Sequence, residues 1–169
     1  MTKGKTKGLE PSRKIIVAGL GLPVSSDRKK VLLTRRHSPA YPAWHNKWQI
    51  AGGGLEIGEK VEETVVRELW EELHVKATIL YPNPIVSTNY WTKEEGDEGV
   101  DFQVVLITYL VDIGDQEPDL SHDTDQETND WGWFSKEEIK ELDFLPKTLE
   151  LVNCAFKMVD EHDKLDFKY

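Results

Sequence analysis

Three observations on the sequence predict an α/β fold (α+β) built as an α/β/α sandwich, in which a mixed β-sheet lies between helices. Apolar segments with strand and helix periods follow one another in the order strands, helix, strands and helix. Residues 100–113 are apolar on both faces over much of their length, which indicates a central strand covered on both sides. A last amphipathic segment supplies the second helical layer.

The N-terminal half is expected to contain three strands and one helix. The strands are assigned to residues 15–20, 31–36 and 48–50, and the helix to residues 61–73. Residues 52–54 are three consecutive glycines, which tolerate positive φ and let the backbone approach a ligand closely. They are therefore expected to form a loop in front of the helix.

The C-terminal half is expected to add strands and a second helix. The strands are assigned to residues 75–81, 85–91, 100–113 and 131–134, and the helix to residues 147–161. Residues 94–99 have the composition of a hairpin turn, and residues 114–129 form an acidic loop. Ser135 and Glu138 have the spacing of a helix capping box.

The length of 169 residues favours a single domain. Residues 1–14 are expected to be a flexible basic tail, since five of them are lysine or arginine and no long apolar run follows as in a signal peptide. The domain itself is assigned to residues 15–169. No apolar stretch approaches the ~20 residues that a membrane-spanning helix requires, so no membrane association is expected.

Charge and cysteine content restrict the partners. Cys154 is the only cysteine, which excludes an intramolecular disulfide and favours a reducing, cytoplasmic location. The net charge of -10 argues against binding to nucleic acid, because phosphates would be repelled. A small phosphate-bearing ligand meets the same repulsion unless divalent cations lie between it and the protein.

Three carboxylates share one face of the first helix. Glu68, Glu71 and Glu72 stand at positions i, i+3 and i+4, within roughly 100° of arc. Their mutual repulsion would become attraction around a bound divalent cation, and Mg²⁺ prefers oxygen ligands. Without further context, glutamates on a helix are usually a solvated face. The residues expected to anchor this helix in the core are Val65, Val66, Leu69, Trp70 and Leu73.

The glycines, a following glutamate and the carboxylate helix stand at fixed offsets that resemble the Nudix box, the signature of the Nudix hydrolases. The matching residues are Gly53, Glu59 and the run Arg67-Glu68-Leu69-Trp70-Glu71-Glu72-Leu73-His74-Val75. Two departures are visible: His74 stands where the family has glycine, and Ala51 stands where many relatives have proline. Neither departure removes a carboxylate.

The resemblance implies a Nudix-type α/β/α sandwich and a role for each matching residue. Glu68, Glu71 and Glu72 correspond to metal ligands, one of which also serves as general base, and Arg67 corresponds to the arginine that orients them. Glu59 ties the glycine loop to the helix or reaches a second metal, and Gly53 is grouped with the metal site. Glu127 is the candidate for an additional acidic ligand, with Asp125 second.

The resemblance also implies hydrolysis of a nucleoside diphosphate linked to another group, with Mg²⁺ as cofactor and Mn²⁺ as a substitute. A nucleoside triphosphate, cleaved to a nucleoside monophosphate and pyrophosphate, is the favoured substrate. ADP-ribose or a nucleotide sugar is the alternative. A nucleotide-sensing module without catalysis is the rival from another class, and the complete carboxylate set argues against it. A homodimer is left open.

Substrate-binding candidates come from loops and strand ends, where each has a structural alternative. Arg35 and Arg36 bind substrate phosphate or form an exposed basic pair, and Gly52 and Gly54 approach the substrate through their backbone. The aromatic residues that stack on a base or serve as core or rim residues are Tyr41, Trp44, Tyr90 and Trp91. The tryptophans expected in the core are Trp48, Trp70, Trp131 and Trp133. His122 is expected to be a surface residue without a special task.

Overall fold

A computed structural model describes residues 13–96, 98–123 and 125–166. Of the tail expected at residues 1–14, residues 1–12 lie outside the described residues, whereas Arg13 and Lys14 belong to the first strand, because they pair with the strand at residues 101–112. The strands are β1 (Arg13–Pro23), β2 (Lys30–Arg36), β3 (Trp48–Gln49), β4 (Ala51–Gly54), β5 (Thr78–Ile79), β6 (Ile85–Trp91), β7 (Asp101–Asp112) and β8 (Thr128–Ser135). The helices are α1 (Val61–Leu73) and α2 (Thr148–Asp166), and 3₁₀ turns occupy Leu120–His122 and Glu138–Glu141. No helix among the described residues is long and apolar enough to cross a membrane.

The larger sheet is mixed, as predicted. β7 pairs in parallel with β1, from Arg13 opposite Asp101 to Pro23 opposite Val111. β4 runs antiparallel on the other edge of β1, and β5 and β6 run antiparallel along the other edge of β7. The strand at residues 100–113 is therefore central, as its two apolar faces predict. A second sheet joins β3, β2 and β8.

The two helices cover opposite faces of the larger sheet. Ala18 and Leu20 of β1 belong to one apolar cluster with Phe156 of α2. The alternate residue Gly21 faces α1, where an added Cβ would collide with the Leu69 side chain. Because side chains alternate along a strand, β1 is buried under α2 on one face and lets α1 approach closely on the other. This arrangement is the predicted α/β/α sandwich.

The glycine run is a strand and not the predicted loop. β4 pairs with β1 so that Gly52 lies opposite Leu20 and Gly53 opposite Gly19. Backbone hydrogen bonds to a neighbouring strand hold these glycines in place, although glycine has a low intrinsic strand propensity. The strand expected at residues 75–81 is reduced to Thr78–Ile79, because the Val75 N–H closes the end of α1 on the Leu69 carbonyl.

Two residues expected in the core lie at the surface. Val66 and Trp70 are 39% and 41% exposed, whereas Val65 and Leu69 are fully buried. The sheet covers a narrower stripe of α1 than the apolar arc in the sequence suggests. The capping pair forms, since the Ser135 N–H donates to Glu138 and the Glu138 N–H donates to the Ser135 hydroxyl, but a 3₁₀ turn follows it.

Candidate active site

Helix α1 ends without the usual glycine. His74 has φ 54° and ψ 35°, the left-handed conformation that glycine normally supplies at this position. Its N–H donates to the Trp70 carbonyl at 3.0 Å. A residue with a Cβ costs roughly 1 kcal/mol in this conformation, so the helix end is closed at some expense of stability.

The predicted carboxylate face of α1 opens on a cavity of about 350 Å³, which we call the carboxylate cavity. The cavity is lined by Gly52, Gly53, Gly54, Glu68, Glu71, Glu72, Asp123, Asp125 and Glu127. The structure therefore brings together the glycine strand, the three helix glutamates and both loop acids proposed from the sequence. Asp123 is a further carboxylate that the sequence did not single out.

Gly53 is the point of closest approach between the glycine strand and α1. A Cβ added to Gly53 would lie 2.6 Å from Glu68 Oε1, well inside van der Waals contact. The absence of a side chain at position 53 is thus a condition for the Glu68 carboxylate to occupy its place in the cavity. The requirement is steric.

Arg67 ties three glutamates together. Its Nε donates to Glu59 Oε1 at 2.9 Å, and its Nη1 donates to Glu68 Oε1 at 2.6 Å and to Glu71 Oε2 at 3.0 Å. The Arg67 hydrogen bond, followed by that from Thr64, lowers the pKa of Glu59 to about 2. Glu59 thereby links the segment after the glycine strand to α1, one of the two roles implied for it.

Glu72 is partly buried and is hydrogen-bonded to the glycine strand. Its Oε1 accepts a hydrogen bond from the Gly52 N–H at 3.0 Å. Burial raises the pKa of Glu72 to about 8, and the negative charges of Glu68 and Glu127 act in the same direction. Burial also raises the pKa of Glu68, against the opposing effect of Arg67. The cavity concentrates carboxylates with too little positive charge to balance them.

The donor set fits a hard divalent cation, because the lining side chains supply carboxylate oxygens. Within the described ranges, no group of three acidic, histidine or cysteine side chains already has the arrangement to hold a metal ion. The hydrogen bonds of Arg67 account for part of this, since they draw Glu68 and Glu71 toward the guanidinium.

The acidic loop is fixed at both ends of residues 123–128. The buried Asp123 accepts the Thr128 N–H on Oδ2 at 2.9 Å. The Glu127 carboxylate pairs with Arg36 at 3.3 Å, and its carbonyl accepts the His37 N–H. These contacts bring Glu127 to the rim of the carboxylate cavity, where the sequence interpretation placed an extra acidic residue.

A second cavity of about 290 Å³, the aromatic cavity, lies on the α2 face of the sheet. Its aromatic walls are Trp44, Trp91 and Phe102, and Arg36 lies at its edge. Gln49 and Asn89 also line it, and neither side-chain amide has a hydrogen bond within the described part of the chain. Gly52 lines both cavities, so one backbone segment of β4 borders each of them.

Three substrate-binding candidates line neither cavity. Arg35 pairs with Asp130 at 3.0 Å, and Tyr41 packs against Trp44 on the outside. Tyr90 is 54% exposed, because alternation along β6 directs Asn89 and Trp91 inward and Tyr90 outward. Of the candidate aromatic residues, the structure brings Trp44 and Trp91 to the aromatic cavity.

Gln49, Asn89 and Asp123 were missed by the sequence reasoning. Asn89 had a usable signal, since it shares the inward parity of Ile85 and Trp91 on a strand that was correctly predicted. Asp123 had none, because a loop carboxylate has no periodicity that would predict its burial. Gln49 lies on a strand of two residues, too short for a pattern.

The NUDIX domain model matches residues 16–153. The chain belongs to the Nudix family. Among related sequences, the nucleoside triphosphatase NudI of Escherichia coli O81 (strain ED1a) is 29% identical over 109 residues, which cover 62% of this chain and 75% of NudI. The likeness thus includes most of NudI, at modest identity.

Solved structures show the same fold. The MutT protein from Methanosarcina mazei Go1 superposes with a TM-score of 0.62 at 22% identity, covering 90% of this chain and 97% of that one. The NUDIX domain of Shewanella oneidensis NrtR, solved as a complex with ADP ribose, gives a TM-score of 0.57 at 21% identity over 87% of this chain and 88% of that one. At these identities the likeness concerns the fold.

Proposed function

We propose that this Nudix protein is a Mg²⁺-dependent hydrolase that cleaves nucleoside triphosphates to a nucleoside monophosphate and pyrophosphate. The observation that carries the proposal is that the two cavities are neighbours, since both are lined by Gly52. One cavity has aromatic walls and amide groups suited to a base, and the other has carboxylates suited to cations that neutralise phosphates. A nucleotide consists of a base joined through its sugar to a phosphate chain, so its base would suit the aromatic cavity and its phosphates the carboxylate cavity.

The metal-holding residues proposed are Glu68, Glu71 and Glu72, with Glu59, Glu127 and the Gly53 backbone in support. A divalent cation bound there would neutralise the substrate diphosphate and lower the pKa of a bound water, with Mn²⁺ as a substitute for Mg²⁺. Arg67 keeps the Glu68 and Glu71 carboxylates on one side of the cavity through its two hydrogen bonds. Its role in this proposal is to orient these side chains.

The nucleoside is proposed to occupy the aromatic cavity. Stacking on an aromatic side chain contributes ~1–3 kcal/mol per base, and Trp44 and Trp91 offer such surfaces. The amides of Gln49 and Asn89 each present a donor and an acceptor, which suits the polar edge of a base. Arg36, at the edge of this cavity and paired with Glu127, lies on the way to the phosphates.

The test is a screen of the purified protein with nucleoside triphosphates, nucleotide sugars, ADP-ribose and dinucleoside polyphosphates, each with Mg²⁺ and with EDTA, in which the nucleoside monophosphate and pyrophosphate formed are separated and quantified by chromatography. Glu72→Gln should lose activity by orders of magnitude, whereas Glu94→Gln, an exposed change far along the chain, should not. Turnover that survives Glu72→Gln, or that ignores EDTA, would refute the proposed site.

ADP-ribose is the second candidate substrate, favoured by the ADP-ribose complex of the structurally similar NrtR domain. The same screen separates the two, because ADP-ribose yields AMP and ribose phosphate without pyrophosphate. A protein that binds nucleotides but hydrolyses none of the panel would instead be a sensor. The complete set of helix glutamates argues against that outcome.

A further inference from the structure

Three aromatic rings form a column at the C-terminal end of α1, which we call the ring column. The rings of Trp70 and His74 have centroids 3.9 Å apart with an interplanar angle of 35°. The rings of His74 and His122 are stacked, with centroids 4.0 Å apart and an interplanar angle of 18°. The column therefore joins two residues of the helix end to a residue 48 positions further along the chain.

The ring column connects α1 to the acidic loop. His74 follows directly on the helix that carries the three cavity glutamates, and His122 directly precedes Asp123. A backbone hydrogen bond from the Asp119 N–H to the Leu73 carbonyl, at 2.9 Å, reinforces the connection. The Asp119 carboxylate in turn lies 3.4 Å from His122 Nε2.

After His122, hydrogen bonds within the acidic loop fix the position of residues that line the carboxylate cavity. The Asp123 carbonyl accepts the Gln126 N–H at 3.2 Å, and its carboxylate accepts the Thr128 N–H at 2.9 Å. These two bonds hold Gln126 and Thr128 against Asp123, whose carboxylate is buried. Asp123 and Glu127, which line the carboxylate cavity, both lie within residues 123–128.

Both helix residues of the column depart from the local rules. Trp70 is a large apolar side chain at an exposed position, and His74 has a strained left-handed backbone. Departures from local rules that occur side by side indicate a function or a compensating contact. Here the compensating contact is the stacking of the rings, which both the exposed position of Trp70 and the left-handed backbone of His74 make possible.

We propose that the ring column clamps the acidic loop onto the end of α1, so that His74 and His122 are positioning residues for the carboxylate cavity. They touch neither substrate nor metal, and act by limiting the freedom of Asp123 and Glu127. The proposal rests on the proposed function only in taking that cavity as the cation site.

The first test is His74→Gly. Glycine relieves the backbone strain but removes the ring contacts, and because these two effects oppose each other the thermal unfolding temperature should change little while the loop loosens. Amide hydrogen exchange of residues 119–128 should accelerate roughly 2- to 10-fold, the range expected for losing one aromatic pair. The dissociation constant for Mn²⁺, measured by electron paramagnetic resonance, should increase by a similar factor.

Matched variants separate the stacking of His122 from its contact with Asp119. His122→Ala should likewise accelerate amide exchange of the loop and weaken Mn²⁺ binding. His122→Phe keeps a ring without the contact to the Asp119 carboxylate and should retain wild-type exchange. His162→Ala removes a stacked ring elsewhere, against Tyr81, and should leave the loop unchanged. In the double variant His74→Gly/His122→Ala, the effects should be far from additive, since either change breaks the same stack.

Wild-type exchange and Mn²⁺ affinity in both His74→Gly and His122→Ala would overturn the clamp. Accelerated exchange with unchanged Mn²⁺ affinity would overturn its role in positioning the cavity. Neither measurement needs turnover. If no nucleotide is hydrolysed but exchange and Mn²⁺ binding respond as expected, the proposed function fails and the clamp stands.

Discussion

Among single residues, Glu72 shows how strongly the cavity disfavours negative charge. Its pKa of about 8 lies well above the ordinary 4.5 of a glutamate, chiefly because of burial. Without metal, the folded protein therefore keeps a proton on Glu72 that the unfolded chain releases above pH 4.5. Stability contributed by the protonated form is lost as the pH rises from 4.5 toward 8.

Glu72→Gln should consequently stabilise the metal-free protein at pH 8 and change its stability little at pH 4.5. Glutamine keeps the shape and the acceptor for the Gly52 N–H but does not ionise. At pH 8 the unfolding temperature in EDTA should rise by at least about 2–4 °C, the shift that 1 kcal/mol produces in a domain of this size. If calorimetry shows that the difference in unfolding temperature between Glu72→Gln and the wild type decreases as the pH rises, ionisation of Glu72 is not the cause of that difference.

Gly53 gives a steric prediction at the same scale. Gly53→Ala should lower kcat by more than about tenfold, because its Cβ displaces the Glu68 carboxylate by an ångström or more. Gly54→Ala is the comparison, since an added Cβ at Gly54 meets no atom within 4 Å, and its effect should be much milder. Equal losses in the two variants would mean that backbone flexibility matters more than space around Glu68.

Individual strands and helices show where sequence reasoning succeeds. Helix α1 has the predicted ends, and β6 has the predicted bounds, because both carry a clear periodicity. β4 was missed because its glycines have no pattern, and pairing with β1 decides their conformation. The three helix glutamates follow from spacing on one element, whereas Asp123 reaches them through contacts between distant segments that no local pattern encodes.

The alternation of β6 makes a prediction about substrate affinity. Trp91→Leu should raise KM for a nucleoside triphosphate by roughly 5-fold or more, as expected for the loss of one stacking surface, with a smaller change in kcat. Tyr90→Leu, one position away on the exposed side, should leave KM within twofold of the wild-type value. The measurement is steady-state kinetics on both variants, with unfolding temperatures as a check. A larger effect on KM from Tyr90→Leu than from Trp91→Leu would contradict the placement of the base.

For the whole molecule, the net charge of -10 opposes any polyphosphate ligand. In EDTA, the dissociation constant for a triphosphate should therefore exceed that in Mg²⁺ by more than about tenfold, and added salt should narrow the gap by screening. The unphosphorylated nucleoside should bind equally with and without metal. Calorimetric titrations of both ligands test this, and a metal requirement for the nucleoside would place the cation near the base instead.

The parallel pairing of β1 with β7 has a consequence for the protein during synthesis. The two strands join residues 88 positions apart, from Arg13 and Asp101 onward. At 5–20 residues per second, β1 waits roughly 4–18 s on the ribosome before its central partner emerges. Over that interval an apolar strand has an unpaired edge, which is a template for aggregation. Folding of the nascent chain is thus gated by the arrival of residues 101–112, and β1 is the segment for which a chaperone would compete.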